Sequence, residues 1–593
     1  MRKTVPLVAA ALAATALLTT PITPLAAQQA AKQAPARATK PAAKRPAKRA
    51  DKPAARPAAK PDTTRFTRAD TLRGSNTAER AWWDVTFYDL HVKVNPADSS
   101  ISGWNGITYR VVSAAREMQI DLQVPLEVDS MVQDGQALRY RRDGNAFFAT
   151  LPAPQPVGQS KTVTVYYHGR PRVATRAPWD GGFVWAHDSA GHSWIATACE
   201  GLGASVWWPN KDLQREEPDS QRVAITVPDS LINVSNGRLR STTRNPDSTT
   251  TYEWFVQNPI NNYDVAVNAA RYEHISDSYQ GEEGPLTLDY WPLAYNLARA
   301  QTQFAQVKPM LACFEHWFGP YPWYRDGYKL VEAPHLGMEH QSAVAYGNHY
   351  ENGYLGRDLS GTGWGLKWDF IIVHESAHEW FGNSVTAEDP ADMWIHESFA
   401  NYSENLYTEC QNGKAAGAAY VIGTRKLIRN DKPIVGHFNV NDEGSGDMYY
   451  KGGNMLHTIR QVVNDDEKWR GILRGISKTF RHQVVSGKRL ESYISQQAGM
   501  DLSKVFEEYL TTTLVPTLEY RIRGTTLSYR WSHVVPGFAM PVKVTLADST
   551  MSFIHPTEKW QTAKLDLKSP SSFRVDENFY VISHDMDGAA TSR

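Results

Sequence analysis

One pentapeptide, His374-Glu375-Ser376-Ala377-His378, limits what this chain can fold into more than any other feature. Side chains four residues apart lie on one face of a helix, so both imidazoles can reach a single metal ion. Glu375 sits beside them and can reach a water on that ion. The alternative interpretation is a pair of exposed helix histidines that flank a solvated glutamate.

Apolar flanks argue against the exposed alternative. Phe370-Ile371-Ile372-Val373 precedes the motif and Trp380-Phe381-Gly382 follows it, so this helix is expected to be buried. Buried histidines beside a glutamate need polar or metal partners. Glu397 lies 19 residues after His378, and Pro390 breaks the chain between them, which predicts a helix, a turn and a second helix that folds back. Two histidines and one glutamate form a catalytic zinc set. The predicted ligands of one zinc ion per chain are His374, His378 and Glu397.

Composition bounds the class of protein. The chain has 593 residues, of which 41% are apolar and 21% are charged, near the average of soluble globular proteins. Three cysteines exclude a scaffold built from disulfides. Because Cys199, Cys313 and Cys410 are odd in number, at least one is free or pairs between molecules. The body of the chain has no basic patch that would indicate nucleic-acid binding.

The start of the chain predicts export. Residues 1–27 combine Arg2 and Lys3, an apolar run and a small-residue cleavage site, which is typical of a secretory signal peptide. The alternative is an N-terminal membrane anchor, for which the run is short. The protein is therefore expected in the periplasm or outside the cell. No other segment is apolar enough to predict a membrane span.

Residues 28–63 are almost entirely Ala, Pro, Lys and Arg, which predicts a disordered linker. They hold ten basic residues against Asp51 and Asp62, whereas residues 64–593 hold 51 basic and 61 acidic residues. The basic linker could make weak contact with anionic polymers of the cell envelope. The alternative is a solvated spacer without a binding role.

The body divides by its hydrophobic period into a multidomain α+β chain. Residues 64–275 alternate apolar and polar positions and predict an antiparallel β domain. Residues 514–593 alternate again and predict a small C-terminal β domain. Residues 276–513 predict a mostly helical catalytic domain. Its helical runs lie near 299–317, 366–381, 396–411, 416–429, 451–464 and 468–484, with a last helix that ends at 506–510.

These features resemble the M1 family of zinc aminopeptidases, the aminopeptidase N group of gluzincins. The signature of that family is HExxH, eighteen residues and then Glu, and this chain has the same spacing. The resemblance covers most of residues 80–515. It implies a saddle-like N-terminal β domain, a thermolysin-like catalytic domain and a C-terminal β-sandwich. Many members add a large helical domain; this chain ends too soon for it, so a more open cleft is expected.

A second element that carries the resemblance is Gly337-Met338-Glu339-His340. It is similar to the family's Gly-x-Met-Glu-Asn element, whose Glu binds the free α-amine of the substrate. Here His340 replaces the usual Asn, and Leu336 stands where Gly or Ala is common. The substrate-binding residues that the resemblance implies in this element are Gly337, Met338 and Glu339.

Two further matches are single residues. Glu200 lies nine residues before Pro209, where the family has a Gln or Glu that shares the amine; the alternative is a charge at the end of a strand. Tyr449 begins a Tyr-x-Lys-Gly element, whose Tyr donates a hydrogen bond to the oxyanion; the alternative is a packed aromatic pair. Glu404, seven residues after Glu397, also matches the family. Its role is either structural support or the orientation of a metal ligand.

The resemblance implies a zinc-dependent aminopeptidase that acts on peptides with a free N-terminal amine and uses Glu375 as general base. A zinc endopeptidase of thermolysin type would share the ligands but lack the amine-binding carboxylates. A binding protein on a dead peptidase fold would have lost a ligand or the base. A bifunctional enzyme that also opens epoxides has no specific support in the sequence.

Overall fold

The computed structural model describes residues 66–548 and 550–587. The predicted signal segment at 1–27 and the predicted linker at 28–63 lie outside the described residues. Two short helices, Arg68–Gly74 and Ala78–Ala81, open the described part. Among the residues described, no helix has both the length and the apolar character that a membrane span requires.

Strands form the first large part of the molecule. Trp83–Asn95 alternates buried and more exposed positions, so Tyr88, Leu90 and Val92 lie in the core. Within the described residues it belongs to an eight-stranded sheet. The spatial order is Arg238–Arg244, Thr249–Val256, Ser220–Pro228, Trp83–Asn95, Ser100–Val111, Ser160–Gly169, Glu127–Gln133 and Gln136–Ala137.

Two smaller sheets complete this part. One has the order Ile232–Val234, Asn268–Ala270, Ser193–Ala198 and Gly182–His187, and the other Glu117–Asp121, Ala146–Thr150 and Arg139–Asp143. The prediction of an antiparallel domain is wrong where Trp83–Asn95 pairs in parallel with Ser220–Pro228. Parallel neighbours need a long connection, and here the intervening strands supply it.

A five-stranded sheet precedes most helices of the middle part, and the sequence analysis did not predict it. Its order is Ile275–Gly281, Gly284–Trp291, Tyr328–Glu332, Val344–Tyr346 and Gly337–Met338. Gly337–Met338 is an edge strand and pairs antiparallel with Val344–Tyr346. This edge brings the segment before Glu339 against the helix of the pentapeptide, because Gly337 lies next to Ile371.

The helices of the middle part follow the predicted runs, with different ends. The main ones are Leu297–Gln303, Val307–Phe318, Phe370–Ala377, Trp394–Asn412, Lys414–Gly423, Tyr450–Val463, Asp466–Thr479, Gly487–Ala498 and Ser503–Thr511. The run predicted to 484 ends at Thr479, and Gln483–Val485 instead pairs in parallel with Val385–Ala387.

The pentapeptide helix, termed the motif helix, is Phe370–Ala377 and is shorter than the run predicted at 366–381. Asp369 caps its N-terminus by accepting hydrogen bonds from the backbone N–H groups of Ile371 at 3.0 Å and Ile372 at 3.3 Å. His378 follows as the C-terminal cap residue. The next long helix, Trp394–Asn412, carries Glu397 and is termed the ligand helix.

Strands return after residue 514. They form a sheet in the order Gln561–Lys564, Thr526–Ser532, Thr517–Arg523 and Ile582–Asp585, and a hairpin of Val542–Ala547 with Thr550–Ile554. Trp531 and Phe538, each about 1% exposed, fill the space between them. The molecule is therefore a multidomain fold of β-sheets, then helices, then strands.

Candidate metal centre and active site

Both histidines of the motif and Glu397 converge on one point. Nε2 of His374 lies 3.6 Å and Nε2 of His378 lies 3.5 Å from Oε2 of Glu397. All three residues are buried, and their ligand atoms lie within 4.8 Å of one another. Tetrahedral zinc with bonds of about 2.0–2.1 Å separates its ligand atoms by about 3.3 Å. The observed separations are close to that value, so the three atoms can share one ion.

The hydrogen bonding of Glu397 supplies an independent test of the metal. Its Oε1 accepts a hydrogen bond from the Tyr449 hydroxyl at 2.7 Å. Its Oε2, the oxygen that faces both histidines, is buried and has no hydrogen-bond partner among the described residues. A buried carboxylate oxygen without a donor is costly. A cation between the three residues removes that cost, so this donor set fits zinc.

The other ring nitrogen of each histidine is also engaged. Nδ1 of His374 donates to Oε1 of Glu404 at 2.9 Å, and Nδ1 of His378 donates to the backbone oxygen of Phe381 at 3.0 Å. An imidazole that donates from Nδ1 presents the lone pair of Nε2 to a metal. The network therefore selects the tautomer that metal binding requires in both rings.

Glu404 is itself held in place. Besides His374, it accepts hydrogen bonds from the side-chain amide of Asn401 at 3.0 Å and from the hydroxyl of Tyr420 at 2.6 Å. Three donors satisfy this fully buried carboxylate. Of the two roles that the sequence left open for Glu404, the geometry is that of a partner which orients a metal-binding histidine.

Glu375 lies between the metal centre and the edge strand. It is 9% exposed, and burial raises its pKa to about 7. A Cβ built on Gly337 would come within 2.7 Å of Oε1 of Glu375. A side chain at position 337 would therefore displace the carboxylate of Glu375. This steric limit explains why a glycine stands at position 337. Met338 follows in the edge strand and is buried.

Glu339 adjoins the same space. An oxygen of Glu339, an oxygen of Glu375 and a ring nitrogen of His378 lie within 4.8 Å of one another. The hydroxyl of Tyr263 donates to Oε1 of Glu339 at 3.3 Å, and the amide of Asn383 donates to its backbone oxygen at 2.8 Å. Burial raises the pKa of Glu339 well above its ordinary value, and the charge of Glu375 raises it further. This arrangement makes an acidic pocket beside the metal ligands.

Glu200 lies in the turn after the strand Ser193–Ala198 and is half-buried. Burial raises the pKa of Tyr263 and of Tyr449 well above the ordinary value, and the charges of Glu339 and Glu200 raise both further. Glu200 and Glu339 therefore both lie near the hydroxyls of Tyr263 and Tyr449. The structure thus brings every predicted site residue to one cleft.

Tyr449 and its neighbour take different positions. The hydroxyl of Tyr449 reaches Glu397, and its ring stacks on that of His374 with centroids 6.0 Å apart. Tyr450 begins the helix Tyr450–Val463 and is buried. The geometry therefore brings Tyr449, the residue that the family offset selects, to the metal centre.

Several residues of the cleft gave no signal in the sequence. Tyr263 comes from the N-terminal sheets, and nothing in its local pattern points to Glu339. Asn383 lies five residues after His378, a position that only its contact with Glu339 makes meaningful. His340, at the position of the family Asn, is buried, and its ring nitrogens have no partner among the described residues. Burial lowers its pKa to about 3, so this ring is neutral.

Comparison with known proteins agrees with this geometry. Residues 303–509 match the model of the peptidase family M1 domain. Two relatives are named probable aminopeptidase 1. The one from Sulfurisphaera tokodaii is 26% identical over 34% of this chain and 27% of the relative, and the one from Saccharolobus solfataricus is 22% identical over 60% and 46%. The chain thus spans less than half the length of these curated relatives.

The fold is also similar to that of solved structures. The M1 zinc metallopeptidase from Deinococcus radiodurans has a TM-score of 0.63 and 23% identity, over 73% of this chain and 94% of that one. A mutant of it bound to a Tyr-Ser-Ala substrate has the same TM-score and 22% identity, over 74% and 96%.

The buried centre of two histidines and one glutamate could hold one metal ion, and the fold is similar to that of solved zinc metallopeptidases. The matched domain, the aminopeptidase relatives and the similar structures make this chain similar to peptidases of the M1 family. That family indicates zinc as the cofactor.

Proposed function

We propose that this protein is a zinc-dependent aminopeptidase that removes N-terminal residues from peptides one at a time. The observation that carries the proposal is the acidic pocket of Glu339 and Glu200 directly beside the metal centre. A pocket of two carboxylates fits a substrate ammonium group, and an ammonium group held there would bring the N-terminal residue of a peptide to the metal centre.

The substrate is held at its amine. Glu339 and Glu200 bind the α-ammonium group, so the first peptide carbonyl of the substrate lies at the metal centre. Zinc, when bound by the three ligands, supplies Lewis-acid activation of a water and of that carbonyl. The α-ammonium anchor explains why an internal peptide bond would be a poor substrate.

Glu375 is proposed as the general base. It takes a proton from the attacking water and passes it to the leaving amine, so the same carboxyl serves both steps. Its contact with Gly337 keeps it beside the edge strand along which the substrate would lie.

Tyr449 is proposed to donate a hydrogen bond to the oxyanion that forms at the carbonyl. Its hydroxyl is already at the metal centre through Glu397. A donor of this kind is worth about 2.7–4 kcal/mol of transition-state stabilisation.

The names of the relatives support peptide substrates with a free amine. Those in the comparison are aminopeptidases, and the similar solved enzyme was bound to a tripeptide and, in another structure, to L-tryptophan. We further propose a saddle-like β domain, a thermolysin-like catalytic domain and a C-terminal β-sandwich, divided near residues 275 and 513.

Export to the periplasm or the medium is part of the same proposal and rests on residues 1–27 alone. The basic segment 28–63 would then act as a spacer or touch the anionic envelope. No nucleic-acid partner is proposed.

The test uses the chain from residue 28 to 593 and a panel of fluorogenic aminoacyl amides, each beside its N-acetylated twin, with and without a zinc chelator. Cleavage of the free-amine forms alone, lost with chelator and restored by zinc, is expected. Equal cleavage of both forms would instead identify an endopeptidase. Zinc binding without cleavage of any form would identify a binding role.

A further inference from the structure

A compact loop precedes Tyr449 in the chain and contacts the turn that carries Glu200. We term Gly436–Gly444 the clasp loop. A Cβ built on Gly436 would lie 2.8 Å from the backbone nitrogen of Gly444, so the two ends of the loop touch. Within the loop, Nδ1 of His437 donates to Oδ2 of Asp442 at 2.6 Å. A loop with touching ends and its own internal side-chain bond behaves as one small unit.

The base of the clasp loop is attached to the chain that leads into the ligand helix. The backbone N–H of Gly436 donates to the oxygen of Ala391 at 3.0 Å. The N–H of Asn439 donates to Oδ2 of Asp389 at 2.9 Å. Asp389 and Ala391 come just before the ligand helix, so the loop is fixed to the same body as Glu397.

The tip of the clasp loop contacts the turn that carries Glu200. The side-chain amide of Asn441 donates to the backbone oxygen of Gly201 at 3.2 Å. Oε1 of Glu443 would lie 3.0 Å from a Cβ on Gly201. The clasp loop therefore contacts Gly201, the residue that follows Glu200.

The N-terminal segment 66–75 contacts the outer side of the same loop. The Ser75 hydroxyl donates to the backbone oxygen of Asn439 at 2.6 Å, and the rings of Phe66 and His437 lie 5.0 Å apart. Gly74 packs so closely that a Cβ there would come within 2.2 Å of the carbonyl carbon of Val440. The segment thus keeps the clasp loop from moving away from the turn.

The Glu200 turn needs such support. Gly201 and Gly203 both have positive φ, +74° and +89°, a region that glycine enters freely. Inside the turn, the backbone N–H of Leu202 donates to the oxygen of Glu200 at 2.9 Å and that of Gly203 to the oxygen of Cys199 at 2.7 Å, and the Asn441 contact adds a bond from outside the turn. Binding an ammonium group requires the carboxylate to stay within about 0.5 Å of its place, which calls for a surrounding contact.

We propose that Asn441 is a positioning residue, which acts through the backbone of Gly201 to hold Glu200 where the substrate amine binds. Four residues, 445–448, separate the clasp loop from Tyr449. One loop therefore joins the amine-binding turn to the hydroxyl at the metal centre. This inference deepens the proposed function and rests on it.

The first test is Asn441→Ala. The expected result is a rise in KM for free-amine aminoacyl amides of about three- to ten-fold, the loss of one hydrogen bond, with kcat within about two-fold of wild type. Zinc content stays at one per chain, and the selectivity for free over N-acetylated substrates falls by the same factor as KM rises. Unchanged selectivity in a folded variant would overturn the inference and leave the proposed function intact.

A double-mutant cycle separates positioning from a general loss of stability. In a Glu200→Gln background, Asn441→Ala should no longer change the selectivity, because the group that it positions is already altered. Additive losses would mean that Asn441 does not act through Glu200. Asn245→Ala is the matched control: its amide bonds Thr249 in a hairpin turn of the N-terminal sheets, and its kinetics should equal wild type.

Binding without turnover makes the test independent of catalysis. Calorimetric titration with L-arginine should give a higher Kd for Asn441→Ala than for wild type, and an equal Kd would count against the inference. A wild-type chain that neither cleaves free-amine substrates nor binds the amino acid would overturn the proposed function as well. If Asn441→Ala does not fold, Ser75→Ala, which frees the outer side of the loop, should shift KM in the same direction by a smaller factor.

Discussion

The two halves of the active site are built in different ways. The metal half, from His374 to Glu404, comes from two helices that follow each other in the chain. The amine half combines Glu200 from a turn, Tyr263 from the N-terminal sheets and Glu339 from beyond the end of an edge strand. Contacts within about thirty residues assemble the first half, whereas contacts across the whole fold assemble the second.

A disulfide reinforces that difference. Cys313 in the helix Val307–Phe318 is bonded to Cys410 in the ligand helix, 97 residues further along. The closed stretch contains the motif helix and most of the ligand helix, but not Glu200 or Tyr263. Cys199 is buried and free, so the expectation that at least one cysteine does not pair within the chain is confirmed.

This contrast predicts which property each half loses when one of its residues is substituted. The metal half can lose a bond and still be held by two packed helices and a covalent link. In the amine half, Glu339 lies inside the closed stretch, whereas Glu200 lies outside it and is held by its turn and the clasp loop. Changes in the metal half should therefore affect chemistry or metal affinity, and changes in the amine half should affect substrate selection.

The largest expected effect is on chemistry alone. Glu375→Gln should lower kcat by about 1,000-fold or more, since it removes the general base while all three zinc ligands remain. Stopped and steady-state assays measure the rate, and metal analysis should still find one zinc per chain. An apo protein, or a rate near that of wild type, would contradict the assignment of Glu375.

Glu339→Gln should damage the amine half without touching the metal half. Loss of a charged partner for the substrate ammonium group should lower kcat/KM for free-amine substrates by about 10–100-fold. Zinc affinity should not change. Comparison of each substrate with its N-acetylated twin measures the effect, and an equal loss for both twins would place Glu339 outside amine binding.

Glu404→Gln should weaken zinc binding, with a smaller effect on the turnover of the zinc-loaded enzyme. The partner of a metal-binding histidine typically contributes 10–100-fold to metal affinity. We expect zinc to be lost to a competing chelator at a correspondingly lower chelator concentration, while KM of the zinc-loaded enzyme stays near wild type. If KM changed and zinc affinity did not, the division between the two halves would be wrong.

The smallest effect on activity should come from the disulfide. Paired Cys313→Ser and Cys410→Ser substitutions should lower the free energy of unfolding by about 2–4 kcal/mol, because a long closed loop is released in the unfolded chain. At 25 °C the rate and the amine selectivity should stay near wild type. Thiol titration of the denatured, unreduced wild type should find one thiol per chain; three would show that the bond does not form.

Local spacing predicted the metal half well. Two histidines four apart fixed one face of a helix, and a break followed by a second helix returned Glu397 to it. The motif helix is nevertheless short, and His378 sits at its end, because the chain turns at Gly382, which has a φ of +129°. The ligand positions survive because the first turn after the helix keeps His378 close to its helical position.

Short strands explain what the sequence analysis missed in the middle of the chain. Gly337–Met338 and Val344–Tyr346 have two and three residues, too few to show alternation. The edge of the five-stranded sheet therefore left no periodic signal. Gly284–Trp291 in the same sheet does alternate, with Leu286, Leu288 and Tyr290 buried, and its pattern could have been recognised. The parallel pairing of Trp83–Asn95 was missed for a different reason. The alternation within one strand does not indicate which strand it pairs with or in which direction.

By itself the sequence predicted the proposed zinc ligands, the proposed base beside them and the order of β, helical and β regions, because these depend on spacing over a few turns of helix or a few residues of strand. Only the tertiary structure decided that Tyr263 and Asn383 hold Glu339, that Cys313 pairs with Cys410, and that the clasp loop meets the turn of Glu200. These contacts join residues far apart in the chain, and their energy comes from packing that no local pattern records.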